Sequence, residues 1–294
     1  MRRRTKDKAS TIIMKILAGL MSLLVLILFV SLLLKSAPIL KTKSLSGLLL
    51  DSVWMPLKGD FGLLPFIIGT LEVTGIALLI AIPICLLSSI YLSEYASSRF
   101  REIARPFVDL LAGIPSVIYG FWGILVIVPI VKWTGTYLGY KTTGYCLLSG
   151  GIVLAIMVFP IIISVVTEVL CSVKYELREI SLSLGLTKWE MVKHVILKSA
   201  MHGIIAAIIL GFARAFGETI AVLMVIGNMV NIPSNIFESA YTLPALIANN
   251  YGEMMSIPLY DSALMFAGLI LLVVVAGFNL AAHLILLKIK RRMA

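Results

Sequence analysis

The sequence predicts an all-α integral membrane protein with six transmembrane helices, and three observations carry that expectation. Hydrophobic residues make up 60% of the chain and charged residues 14%, with a mean hydropathy of +1.04, far outside the range of water-soluble domains. Uncharged runs occupy 16–34, 73–93, 110–131, 142–167 and 262–287, each near or above the ~20 residues a helix needs to cross a bilayer. A sixth run, 199–226, is apolar apart from Arg214 and Glu218 and reads as one helix carrying a functional pair.

Lys and Arg orient the spans. With the N-terminus in the cytoplasm, eighteen of them fall inside, six outside (Lys35, Lys41, Lys43, Lys58, Lys132 and Lys141) and Arg214 within the membrane, which accounts for all 25. That bias predicts cytoplasmic termini. The net charge of +10 then reflects membrane topology rather than nucleic-acid binding.

The first run could be a secretory signal, but 16–34 is longer than the ~7–15 residues of a signal core, so an uncleaved first helix is expected. The second carries Pro83, and a lone carboxylate just before the run, Glu72, in the outer half of the second helix, is expected to face a subunit contact or to be protonated. The third holds Gly113-Ile114-Pro115-Ser116, and the fourth holds Gly150-Gly151 and Pro160. Proline removes a backbone donor and kinks a helix, which a membrane tolerates where protein or a cavity satisfies the freed carbonyl. Gly113, Pro115 and Ser116 are therefore candidates for a gate or kink; small-residue packing contacts are the alternative. Arg105 and Asp109, four apart at the inner end of the third run, are expected to form a structural pair, and Glu168 to meet cations of the loop that follows the fourth.

That loop, about 171–200, is too polar to span and sets Leu182, Leu184, Leu186, Trp189, Val192 and Val195 among charged residues. An amphipathic helix on the membrane surface is one explanation. Beyond the fifth run, 227–260 forms a long outer loop with no Lys or Arg. Within it, 242–249 has a capping Thr, an early Pro and an Asn stop, which predicts a short helix. The loop is a candidate re-entrant segment or a dock for an extracellular partner, with an ordinary surface excursion as the alternative.

Arg214 and Glu218 are four apart, so on one helix they share a face. An Arg at the bilayer centre costs roughly 2.5–3.5 kcal/mol even on insertion scales, so it normally faces protein or water. Its planar fork suits an oxyanion, and Glu218 could orient it. An ion pair that neutralises itself and stabilises packing is the other reading.

The loop after the fourth run resembles the EAA loop of ABC-importer permeases. Glu179, Ser181 and Gly185 fit its pattern, as does Val195-Ile196-Leu197; Ile180 replaces the usual alanine, and Lys198 the usual proline, which leaves the start of the fifth helix less sharply defined. The stretches 62–70, 112–120, Ala213-Arg214-Ala215-Phe216-Gly217-Glu218-Thr219 and Gly227-Asn228 with Ile232-Pro233 are similar to permeases of the phosphate-specific ABC importer. The similarity covers roughly 61 to the C-terminus, and Gly227-Asn228 with Thr242-Leu243 favours the C-type over the A-type permease.

The resemblance implies a type I ABC importer permease fold, with 1–60 as basic N-terminus, first helix and outer loop, and 61–294 as the permease core. It also implies that Glu179, Ser181 and Gly185 couple to an ATPase and that Arg214 and Glu218 take part in phosphate passage. The implied partners are a second homologous permease, two copies of an ATP-binding subunit, an extracytoplasmic phosphate-binding protein and membrane lipid, in a bacterial or archaeal cell membrane. No G-x-x-x-x-G-K-[ST] phosphate loop occurs in the chain, so ATP belongs on a partner and the chain is not expected to be an enzyme. Sulfate or molybdate in place of phosphate, an ion-coupled secondary transporter or channel with Arg214 and Glu218 as a proton relay, and a structural or sensory subunit are the competing readings. Cys85, Cys146 and Cys171, and His194, His202 and His283, show neither disulfide framework nor metal spacing.

Overall fold

The structure, a computed structural model, describes residues 2–253 and 257–293. The side chains of 2–10, 282, 283 and 285–293, which include His283 and many of the basic residues at both termini, lie outside the described set. Among the described residues six helices are long and apolar enough to cross a membrane: Thr11–Thr42, Leu64–Tyr95, Ser116–Tyr137, Leu147–Cys171, Lys188–Phe216 and Tyr260–Ala281. They are called the first to sixth spans. With six spans, both chain ends lie at one end of the bundle, here the termini end; the opposite end is the far end.

The fourth span is the centre of the molecule. It packs against the second along most of its length, where Gly151 lets Ile76 approach so closely that a Cβ would clash. Cross-helix hydrogen bonds fix the register: Ser89 Oγ donates to the Ile163 carbonyl at 3.2 Å, and Cys85 Sγ to that of Phe159 at 3.8 Å. The fifth span lies on another face, with Gly203 against Val169 and Gly211 against Ile162 and Val158. Val153, Leu154, Val158 and Ile162 form the heart of the larger core cluster. A second cluster sits at the far end, where Phe66, Leu246 and Leu264 pack with Ile39 and Leu48. The first span leans on the sixth, and its apolar side chains are largely exposed, as suits a helix facing lipid.

The span boundaries differ from the sequence expectation, most at the third, fourth and fifth spans. The third span starts at Ser116 rather than 110, because Ser98–Gly113 is a separate helix that ends before Pro115. Proline disfavours helical backbone in the residue before it, and Ile114 is extended (ψ 128°). Gly113, Pro115 and Ser116 thus mark a break between two helices, not a kink within one. The fourth span begins at Leu147 rather than 142.

The fifth run, expected as one helix over 199–226, begins at Lys188 and stops at Phe216; after Gly217-Glu218-Thr219 a short helix, Ile220–Val225, continues. Its early start comes from a capping box in which Thr187 and Glu190 satisfy each other's backbone donors. With Lys198 instead of proline, the helix runs on through a π-helical turn at Val192–Ile196 without a break. In the outer loop the expected short helix is present as Leu243–Asn250, its first turn capped by the Thr242 hydroxyl.

Candidate functional site

Between the fourth and fifth spans, at the termini end, lies the helix Tyr175–Ser183. Ser181 is 4% exposed and donates its hydroxyl to the Leu177 carbonyl at 2.6 Å, so a small residue is required there. The helix closes in a Schellman motif: Leu186 N–H donates to the Ser181 carbonyl and Gly185 N–H to that of Leu182. Gly185 sits at φ +84°, a left-handed conformation that penalises any Cβ, although no atom crowds the position. Glu179 is exposed, and Ile180, Leu182, Leu184 and Trp189 leave an apolar tip uncovered around it.

A residue that the sequence left unremarked holds this helix in place. Arg178 donates to both oxygens of Glu94, at 2.7 and 3.2 Å, and to the carbonyls of Leu170 and Val173, at 2.9 and 2.6 Å. The two side chains are 14% and 5% exposed. The Glu94 hydrogen bonds hold the Arg178 guanidinium above its usual pKa. Removing one partner of such a buried pair costs about 3–5 kcal/mol, because the other charge is stranded.

Halfway along the bundle, Arg214 and Glu218 do not meet. The helix that would align them ends at Phe216, and no ion pair joins them among the described residues. Gly211 lies opposite Val158 and Ile162, near the middle of the fourth span, so Arg214 sits about one turn beyond mid-depth, and it is exposed. Glu218 is 9% exposed; its Oε1 accepts the Ala221 N–H at 3.3 Å and caps the short helix Ile220–Val225.

That short helix packs on the start of the third span, where a Cβ on Gly120 would meet Met224 Sδ and the Ala221 backbone. One turn earlier lies the break at Gly113, Pro115 and Ser116, spanned by Tyr119 Oη donating to the Leu111 carbonyl at 2.7 Å. The structure therefore brings the expected gate residues beside the segment that Glu218 caps.

The remaining charged positions rearrange the expectations. Arg105 and Asp109 form no ion pair within 4.0 Å, and Glu168 meets no cation of the following loop. All three instead line a cavity of about 290 Å³ with Arg101, Ser164 and Thr167. Glu72 borders an open cleft lined by Pro233, Ser234, Asn235 and Ile236 of the outer loop, and its Oε2 is buried without a hydrogen-bond partner.

Residues 81–294 match the family described as binding-protein-dependent transport system inner membrane component. A probable ABC transporter permease protein, YqgH, of Bacillus subtilis is 39% identical over 75% of this chain and 71% of its own length. The phosphate transport system permease protein PstC of Xylella fastidiosa is 37% identical over 81% of this chain and 78% of its own. A probable PstC of Methanocaldococcus jannaschii is 35% identical over 77% of both. Among solved structures, the inward-facing MetNI methionine ABC transporter aligns with a TM-score of 0.57 over 75% of this chain and 93% of that one, at 20% identity, which speaks to the fold alone. The six spans and these similarities lead to one assignment: the chain belongs to the family of binding-protein-dependent transport system inner membrane components, multi-pass membrane proteins with the fold of ABC importer permeases.

Proposed function

We propose that this chain is the transmembrane permease subunit of an ATP-driven importer of inorganic phosphate, and that it contributes half of the translocation path. The observation that carries the proposal is the uncovered Arg214 guanidinium near mid-depth. Lipid is a costly neighbour for it, so its surroundings in the membrane are water, an anion or a second permease. A guanidinium free of its own carboxylate can offer paired, charge-assisted hydrogen bonds to a phosphate oxygen pair. The PstC-type relatives support phosphate as that anion.

In this mechanism both termini face the cytoplasm, in keeping with the Lys and Arg bias. A binding protein delivers phosphate to the far end, and the helix Tyr175–Ser183 docks on an ATPase through its apolar tip and Glu179. Ser181 allows close packing beneath that helix, and Gly185 supplies its turn. A second, homologous permease completes the path, and two ATPase subunits drive it. The breaks at Gly113-Ile114-Pro115 and Gly217-Glu218-Thr219 act as the paired hinges of a gate, since they lie at either end of one packed contact, Gly120 on Ala221. Residues 1–60 supply a peripheral helix and 61–294 the moving core.

The test is reconstitution of the chain with its ATPase, second permease and binding protein, followed by ATP-dependent uptake of labelled phosphate in competition with sulfate and molybdate. Labelled-phosphate uptake that excess sulfate and molybdate leave intact supports the assignment; an assembled complex that takes up labelled sulfate or molybdate but no labelled phosphate moves the substrate to another oxyanion. Accumulation driven by a proton gradient without the ATPase would refute the importer.

A further inference from the structure

Four consecutive residues at the termini end of the second span are each gripped by a cation from another segment. Arg101 donates to the carbonyls of Leu92 and Ser93, at 2.7 and 2.6 Å. Arg178 clasps Glu94 with both of its oxygens engaged. Lys188 stands over the Tyr95 ring, 4.6 Å from its centroid. Residues Tyr91–Tyr95 form a π-helical turn, a rare form that recurs at functional sites.

Two of these cations flank the loop proposed to dock on the ATPase. Arg178 belongs to the helix Tyr175–Ser183, and Lys188 is the first residue of the fifth span. The loop is thus fastened on both sides to the same two residues, Glu94 and Tyr95. The other end of the second span is fastened as well: Thr70 Oγ1 accepts the Leu243 N–H at 2.9 Å, tying it to the outer-loop helix Leu243–Asn250. Gly69 lies against the Tyr241 backbone, where a Cβ would come 2.6 Å from the carbonyl oxygen.

We infer that the second span, Leu64–Tyr95, is the rod that carries the ATPase stroke to the outer loop, with the Arg178–Glu94 pair as its inner joint and the Thr70–Leu243 bond as its outer joint. A buried, bidentate pair backed by two carbonyl bonds resists sliding, so displacement of the docked helix moves the end of the span with it. Coupling of this kind runs both ways: a binding protein seated on the outer loop would be sensed at the ATPase through the same rod. Glu94 and Thr70 are positioning residues that touch neither phosphate nor ATP.

This inference rests on the importer function proposed above, and its test separates the two. The complex is assembled in lipid with wild type, Glu94→Gln and Thr70→Val. Three quantities are measured: ATPase retention, basal ATP hydrolysis, and its stimulation by the loaded binding protein, with uptake alongside. Thr70→Val is expected to retain the ATPase and basal hydrolysis, and Glu94→Gln, which loosens the docking helix itself, to keep basal hydrolysis per ATPase retained; both are expected to lose stimulation, read per ATPase retained, by about tenfold or more. Stimulation at the wild-type level in either assembled variant overturns the rod, and so does loss of basal hydrolysis in step with stimulation. If Glu94→Gln fails to assemble, Thr70→Val, which sits at the opposite end from the ATPase, decides alone. A wild-type complex that is stimulated but takes up no phosphate counts against the substrate, and the rod is still decided by the stimulation ratios.

Discussion

Arg214 and Glu218 stand on opposite sides of a helix end: Arg214 in the last turn before Phe216, Glu218 turned back to accept the Ala221 N–H. The spacing that would pair them on a continuous helix instead separates them. A paired Arg would be neutralised and closed to an anion, whereas this one is open. Glu218 has its own work in starting the next helix.

That division of labour separates two substitutions at one position. Glu218→Gln keeps an oxygen that can accept from Ala221, so the short helix should persist. Glu218→Ala removes the cap and is expected to cost about 1 kcal/mol locally. Hydrogen exchange over 217–225 should rise in the Ala variant and stay near wild type in the Gln variant. Equal rises would assign the role to the charge and not to the cap.

At the inner tip, Gly185→Ala places a Cβ on a left-handed backbone and is expected to cost about 1–2 kcal/mol, with no steric clash added. Gly185→Asn, which tolerates that conformation better, should lose less. Ser181→Ala should be mild, while Ser181→Leu, forced into a buried site, should cost about 1–3 kcal/mol. Co-purification of the ATPase reads out all four. An order in which Ser181→Leu retains the ATPase better than Ser181→Ala would contradict the packing described here.

Glu72 offers a negative prediction. Its Oε2 is buried beside the outer loop without a donor, so a neutral amide should replace it at little cost. Initial phosphate uptake in Glu72→Gln is expected within about twofold of wild type, the effect of a few tenths of a kcal/mol. A large loss would put this carboxyl on the path.

The third span shows what the sequence could reveal and where it misled. Its apolar run continues backward through Leu110 and Leu111, but those residues belong to the exposed apolar face of the helix Ser98–Gly113, and hydropathy alone does not separate the two. Pro115 did carry the boundary. The fifth helix could also have been started correctly, since Thr187 and Glu190 have the spacing of a capping box. Its end at Phe216 had only Gly217 to announce it. The loop pattern of Glu179, Ser181 and Gly185 is read from its resemblance to the EAA loop, and the structure supplies a physical demand for its two small residues, a tight contact at Ser181 and a left-handed turn at Gly185. The Arg178–Glu94 pair was not legible: 84 residues separate the partners, and only the packing of the second span on the fourth brings them together.

The open Arg214 is the centre of this picture, and its measurement is the most direct. ATP-dependent phosphate uptake should be compared for wild type, Arg214→Lys and Arg214→Gln in complexes that keep equal ATPase content. With a charge-assisted hydrogen bond to an ion worth about 1.5–3 kcal/mol, Arg214→Gln should lose at least about tenfold in uptake and Arg214→Lys less. Wild-type uptake by Arg214→Gln would remove this residue from the path and leave the chain a permease whose anion site lies elsewhere.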